Sequence, residues 1–177
     1  TGYDISKIDH KDKHIDISFK NNETKECDYL IISDGVFSKS KSLISNNLPV
    51  PKYNDTLAIR GIITKSVQDL DNKNISLFLG PNFHQVIYPV NPSGDLNFIA
   101  ILKYHLSLEE QNNHSLFSEN SFIDKVMDKI PSKNKEFLNN LKELKIFPVF
   151  VSKDFCEFKN NKIHLIGDAF YAFPPSF

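Results

Sequence analysis

Between Leu57 and Leu102 four apolar or alternating runs follow one another with little chain to spare: Leu57 to Ile63, Ile75 to Leu79, Gln85 to Tyr88 and Leu96 to Leu102. The breaks hold Asp71-Asn72, Gly80-Pro81-Asn82 and Asn91-Pro92-Ser93-Gly94, residues that favour tight turns. A parallel return needs a crossover of about a dozen residues or more, so such spacings favour antiparallel pairing. The middle of the chain is therefore expected to be one antiparallel sheet.

Shorter patterns flank it. Ile15, Ile17 and Phe19 alternate with Asp16 and Ser18, the two-residue period of a half-buried strand. Asn21-Asn22 supplies a turn, and Tyr29 to Ile32 is a continuous apolar run, as in a strand covered on both faces. Asp34-Gly35 ends that run, Ser38 to Ser45 predicts a short helix, and Leu48-Pro49-Val50-Pro51 is a stiff extended connector. Beyond the sheet, Phe122, Ile123, Val126, Met127 and Ile130 share one helical face, with Ser121 and Asp124 placed to cap its start. After Pro131, the stripe Phe137, Leu138, Leu141 and Leu144 predicts a second helix. Phe147 to Val151 reads as a strand, and Ile163 to Ile166 as a buried one. This order of elements is that of an α+β or mixed α/β protein.

Composition narrows the function classes. The 177 residues are 40% hydrophobic and 24% charged with a formal net charge of -1, which attracts neither nucleic acid nor an anionic membrane surface at long range. No stretch approaches the roughly 20 apolar residues of a membrane-spanning helix, and no signal-peptide pattern is present. Cys27 and Cys156 lie far apart, so a disulfide scaffold and a cysteine metal site are both unsupported, and a reducing cytoplasm fits. The first residue is Thr1 and the last, Phe177, falls within a loop pattern. Both ends read as interior points of a longer protein.

Few residues carry chemistry. An apolar strand running straight into an acid and a glycine occurs twice, at Ile31-Ile32-Ser33-Asp34-Gly35 and at Leu165-Ile166-Gly167-Asp168. A buried strand can deliver a carboxylate to the carboxyl edge of a sheet, where open α/β proteins bind ligands. Glycine there lets a ligand approach the backbone, and the carboxylate suits ribose or ribityl hydroxyls. Singly, each pair is also an ordinary turn. Arg60, the only arginine, suits an acidic substrate or a solvated strand edge, and Tyr88 suits a cavity wall or plain sheet packing. The histidines show no metal spacing, Glu109-Glu110 fits a solvated helix start, and Ser38 has no partner that would make it a nucleophile.

The stretch Cys27-Asp28-Tyr29-Leu30-Ile31-Ile32-Ser33-Asp34-Gly35-Val36-Phe37-Ser38 resembles the D-G motif of class A FAD-dependent monooxygenases, which include aromatic-ring and ubiquinone-biosynthesis hydroxylases. Ile163 through Pro175 resembles the same family's G-D motif, commonly G-D-A-A-H followed shortly by proline. Between them, Ala58-Ile59-Arg60-Gly61 and Val86-Ile87-Tyr88-Pro89-Val90 are similar to parts of a salicylate-hydroxylase-like substrate domain. The resemblance spans nearly the whole chain.

It implies that residues 1–51 belong to an FAD-binding domain, 52–153 form an antiparallel substrate-binding sheet covered by helices, and 154–177 return to the FAD-binding domain. Asp34 and Gly35 would lie near the flavin pyrophosphate and be linked to binding of the reduced nicotinamide nucleotide. Asp168 would hold the ribityl chain, with Gly167 permitting its approach, and Pro174 and Pro175 would line the flavin ring and substrate cavity. Arg60 and Tyr88 would face substrate. The implied reaction uses FAD, NAD(P)H and dioxygen to hydroxylate an aromatic or quinone-precursor ring through a flavin C4a-hydroperoxide, with no catalytic side chain required. A halogenase or reductase of the same fold, or a non-enzymatic α+β domain with two plain turns, also remains open.

The sequence departs from the family pattern in several places. Ser33 stands for the usual alanine, Lys41 for an arginine whose planar fork grips phosphate, and Phe170-Tyr171 for Ala-His. The G-x-G-x-x-G fingerprint that seats the ADP half of FAD is absent. The expectation for these 177 residues alone is weak FAD binding or none, and no activity.

Overall fold

The computed structural model describes residues 2–64, 73–154 and 158–175. Its strands are β1 (Ile5–His10), β2 (Ile15–Phe19), β3 (Thr24–Cys27), β4 (Leu30–Ile32), β5 (Lys52–Ile63), β6 (Ser76–Leu79), β7 (Phe83–Pro89), β8 (Leu96–Lys103), β9 (Leu141–Val151) and β10 (Ile163–Leu165). The α-helices are α1 (Lys39–Ile44), α2 (Leu108–Asn112), α3 (Asn120–Asp128) and α4 (Gly167–Phe170), with 3-10 turns at Leu116–Ser118 and Ser132–Asn140. Contacts divide the chain into two compact units, one of Thr1–Lys52 with Phe150–Pro175 and the other of Tyr53–Val149. The architecture is mixed α/β, as the pattern of runs predicts.

In the first unit β1, β2 and β3 form an antiparallel meander. Its buried face carries Ile8, Ile15 and Ile17, and the period-2 pattern of β2 survives as complete burial of Ile15 and near-complete burial of Ile17. β4 pairs in parallel with β10, Leu30 opposite Ile163 and Ile32 opposite Leu165. Ile32, Ile163 and Ala169 join the meander's isoleucines in one small core. The predicted helix after Asp34-Gly35 is present as α1, with the Ser38 hydroxyl accepting from the Lys41 backbone N–H as its N-cap.

The second unit is built on a five-stranded antiparallel sheet in the order β6-β7-β8-β5-β9. Opposite β8 the alternating residues of β5 fall into register, Leu57 with Leu102, Ile59 with Ala100, Gly61 with Phe98 and Ile63 with Leu96. All of these are buried on one face, where Phe117, Phe122, Val126, Ile130 and Phe137 cover them. Each fully buried Leu, Ile or Phe side chain contributes roughly 1.5–3 kcal/mol of transfer free energy, so this face dominates the unit's stability. Gly61 is required there, because a Cβ would sit 3.0 Å from Leu141 Cδ2 and 3.1 Å from the Lys142 carbonyl oxygen. Gly80-Pro81-Asn82 and Asn91-Pro92-Ser93-Gly94 form breaks between strands as expected, while Asp71-Asn72 lies outside the described residues.

Two local expectations are corrected. The stripe Phe137, Leu138, Leu141 and Leu144 does not form a second α-helix: the chain makes a 3-10 turn to Asn140 and then enters β9. Within β9, Glu143 adopts a left-handed conformation (φ 54°) that interrupts strand alternation, and Leu141 and Leu144 both pack on the core. A three-residue spacing that looks helical thus arises in a strand. Nor do Ser121 and Asp124 cap α3: its N-cap is Glu119, two residues before Ser121, with no side-chain capping bond.

Candidate functional site

In the first unit the two acid–glycine pairs meet. Leu165 and Ile32 are register partners on adjacent parallel strands, and the Ile166 N–H donates to the Ile32 carbonyl at 3.0 Å. Asp34-Gly35 and Gly167-Asp168 therefore leave the same carboxyl edge side by side. Gly35 (φ 84°) and Gly167 (φ 56°) are both left-handed, a conformation that side chains disfavour, and the space where each Cβ would stand is open. Asp168 is exposed and has no hydrogen-bond partner among the described residues.

Asp34 is engaged differently. One carboxylate oxygen accepts the Ser40 backbone N–H at 3.1 Å, tying the turn to α1. Burial alone would raise its pKa, but hydrogen bonds from the Ser38 hydroxyl and from Ser40 outweigh this and hold the carboxyl below its ordinary value. Lys41, at the position of the family's arginine, is buried and lines a groove of about 450 Å³ with Val36, Leu48 and Pro49. After α4 the chain is pinned by Ser152, whose N–H donates to the Ala172 carbonyl and whose hydroxyl accepts the Ala172 N–H. Pro174 follows half-buried and Pro175 exposed.

In the second unit Arg60 and Tyr88 lie on the face of the sheet opposite the core. Arg60 pairs with Ile99 on β8, and two residues along, Asn97 pairs with both Ile62 on β5 and Tyr88 on β7. The structure thus brings Arg60 and Tyr88 to one surface. Asn97 between them was not a sequence candidate, although a single amide breaking the run Leu96 to Leu102 is a readable signal. It is 7% exposed, and its Nδ2 has no hydrogen-bond partner. Nearby on the same face His84 has its pKa lowered by burial, which disfavours the imidazolium.

Among the described residues the ligand atoms of His14, Asp16 and Glu26 lie within 4.8 Å of one another. The His14 ring stands between the acids, Nε2 at 3.3 Å from Asp16 and Nδ1 at 3.7 Å from Glu26. Each nitrogen already faces its own carboxylate.

No protein-family profile and no curated protein sequence matches the chain. Solved structures do. A variant of HpxO from Klebsiella pneumoniae, complexed with FAD, superposes with a TM-score of 0.77 at 16% identity, over 98% of this chain and 45% of that one. A salicylate hydroxylase in complex with substrate gives 0.73 at 18% identity, over 98% and 47%. The 2,6-dihydroxypyridine-3-hydroxylase of Arthrobacter nicotinovorans gives 0.70 at 15%, over 96% and 49%. HpxO is also known in complex with FAD and uric acid. The chain spans less than half the length of each of these proteins. In fold the chain matches a portion of the class A FAD-dependent aromatic hydroxylases.

Proposed function

We propose that this chain forms part of an FAD-dependent monooxygenase that hydroxylates an aromatic or quinone-precursor ring, with NAD(P)H as reductant and dioxygen as oxidant. The observation that supports it most is the parallel pair β4–β10, which delivers two acid–glycine pairs to one edge. Two unrelated turns have no reason to converge there; a dinucleotide site at the carboxyl ends of parallel strands does.

The residues fit an FAD. Asp168, exposed and unpaired, would accept hydrogen bonds from ribityl hydroxyls, and an ionised acceptor makes these stronger than neutral ones. Gly35 and Gly167 leave open the space a side chain would fill, so backbone N–H groups can be approached. Asp34 holds the turn into α1, keeping Lys41 on that helix for a phosphate, and Pro174 and Pro175 would border the ring. When bound, the flavin would supply the oxygen activation. Arg60 would pair with an acidic group of the substrate and Tyr88 would hydrogen-bond or stack on it, both from the open face of the sheet. Orientation and exclusion of water are the protein's share.

The test is to express the parent reading frame with the sequence on either side of these 177 residues. Purified protein should carry flavin absorbance and oxidise NAD(P)H faster when an aromatic acid is added. Asp168→Ala should weaken FAD at least about tenfold, the scale of one charge-assisted hydrogen bond. Flavin-free protein, or FAD affinity indifferent to Asp168, would overturn the proposal.

A further inference from the structure

We infer that the groove beside α1 binds an amphipathic monoanion, a single carboxylate or similar head on an apolar chain, with the Lys41 ammonium as its counter-charge. The groove is made entirely by the first unit, and nothing in it depends on a bound flavin.

Lys41 is 8% exposed and is the only charged residue among the buried ones described. Its ammonium has no hydrogen-bond, ion-pair or ring partner among the described residues. Lysine is almost never buried to this degree without a partner, because taking a cation from water is costly unless an opposite charge meets it. The pairing that burial calls for is left to a ligand. Unlike the neutral amides of Asn97 and Gln85, this group also attracts an opposite charge over distance.

The groove selects the kind of anion. Its volume of about 450 Å³ falls within the roughly 300–1,000 Å³ of small-molecule sites. No acidic residue lines it, so one positive charge stands unopposed, enough for one negative charge and not for the several of a nucleotide. Ser45, four residues on from Lys41, lines it as well. Its hydroxyl oxygen accepts the Asn47 N–H at 3.3 Å, which leaves the hydroxyl hydrogen for a second bond to the head group. The rest of the wall is apolar and includes Val36, Phe37, Leu48, Pro49 and Val50. Phe37 is 61% and Val50 71% exposed, so apolar surface stands open to water until a hydrocarbon chain covers it. Pro49 and Pro51 hold the connector extended, and that wall is set before any ligand arrives. The Asp34 turn borders a separate hollow with Lys20 and Lys39, and Lys39 stands about 200° from Lys41 around α1. A phosphate brought to Lys41 would compete for the same ammonium.

Calorimetric titration of the 177-residue chain with octanoate, octanol, acetate and inorganic phosphate separates head from tail. Octanoate should bind at least about tenfold more tightly than any of the others, the effect of losing either the ion pair or the buried chain. Lys41→Met, of similar length, should bring octanoate down to the level of octanol while Tm stays equal or rises, because an unpaired buried charge is gone. Leu48→Asp, which builds a carboxylate into the wall, should abolish octanoate binding in a folded chain. No octanoate binding by the unaltered chain, or binding no tighter than that of octanol, overturns the inference. So does acetate or phosphate that binds as tightly as octanoate, which marks a bare anion site. A preference that survives in Lys41→Met, or octanoate binding unchanged in Leu48→Asp, overturns it as well. Flavin-free protein from the longer reading frame would leave all of these outcomes unchanged.

Discussion

Gln85 presents the same chemical deficit as Asn97 on the other side of the sheet. It sits opposite Phe78 and Ala100, is fully buried on the core face, and neither Oε1 nor Nε2 has a partner. A buried donor or acceptor left unmade costs about 1–3 kcal/mol. Methionine has nearly the same length and fills irregular gaps without polar demands. Gln85→Met should therefore stabilise the protein by about 1–2 kcal/mol, seen as a higher urea midpoint at unchanged slope. A lower midpoint would mean that the amide is satisfied by enclosed water. The two amides differ in what they face: Gln85 looks into hydrocarbon, while Asn97 borders a hollow with a cation on its rim.

At the scale of elements, α2 is the helix whose ends are most explicitly specified. Ser107 accepts the Glu110 N–H at 3.2 Å, and Glu110 accepts the Ser107 N–H at 2.8 Å, a reciprocal capping box. None of its residues is buried, so the cap is a main source of its order. Ser107→Ala should cost about 1 kcal/mol in chemical denaturation and speed amide exchange within Leu108–Asn112. β2, with its two-residue alternation, and β8, a nearly continuous apolar run, were legible in the sequence. β1 and β3 were not, because only one residue of β1 is buried and Thr24–Cys27 buries none. The apolar signal disappears where a strand has little to bury. β9 misleads for the opposite reason, since one left-handed residue turns strand periodicity into a helix-like spacing.

For the whole molecule, the site was legible only in halves. Each acid–glycine pair can be read locally, but nothing in the residues themselves states that β4 and β10 are neighbours; the family resemblance implied only that both pairs belong to the FAD-binding domain, and the adjacency appears in the register. The halves also limit what these 177 residues can do. On the proposed reading they would offer ribityl and pyrophosphate contacts without the glycine-rich fingerprint for the ADP portion. Flavin fluorescence titration of this chain should give an FAD affinity at least about a hundredfold weaker than that of the longer protein proposed above, as expected when two or more hydrogen-bonded contacts are missing. Tight stoichiometric binding would show that the strand ends suffice.

The pairing of β4 with β10 also sets a timetable. β4 is made early, yet its parallel partner is synthesised only after the entire sheet of the second unit. Left to a flexible loop, that long wait would carry a closure cost that grows with the logarithm of the intervening length. But the strand entering the inserted sheet, β5, lies beside the strand leaving it, β9. Folding of the insert draws the two ends of the excursion together before β10 is needed, replacing a long loop by a short one. The middle of the chain thus acts as an assembly jig for its two ends: a lesion that only slows the sheet, without altering a single residue near Asp34 or Asp168, would delay the moment at which those two carboxylates become neighbours.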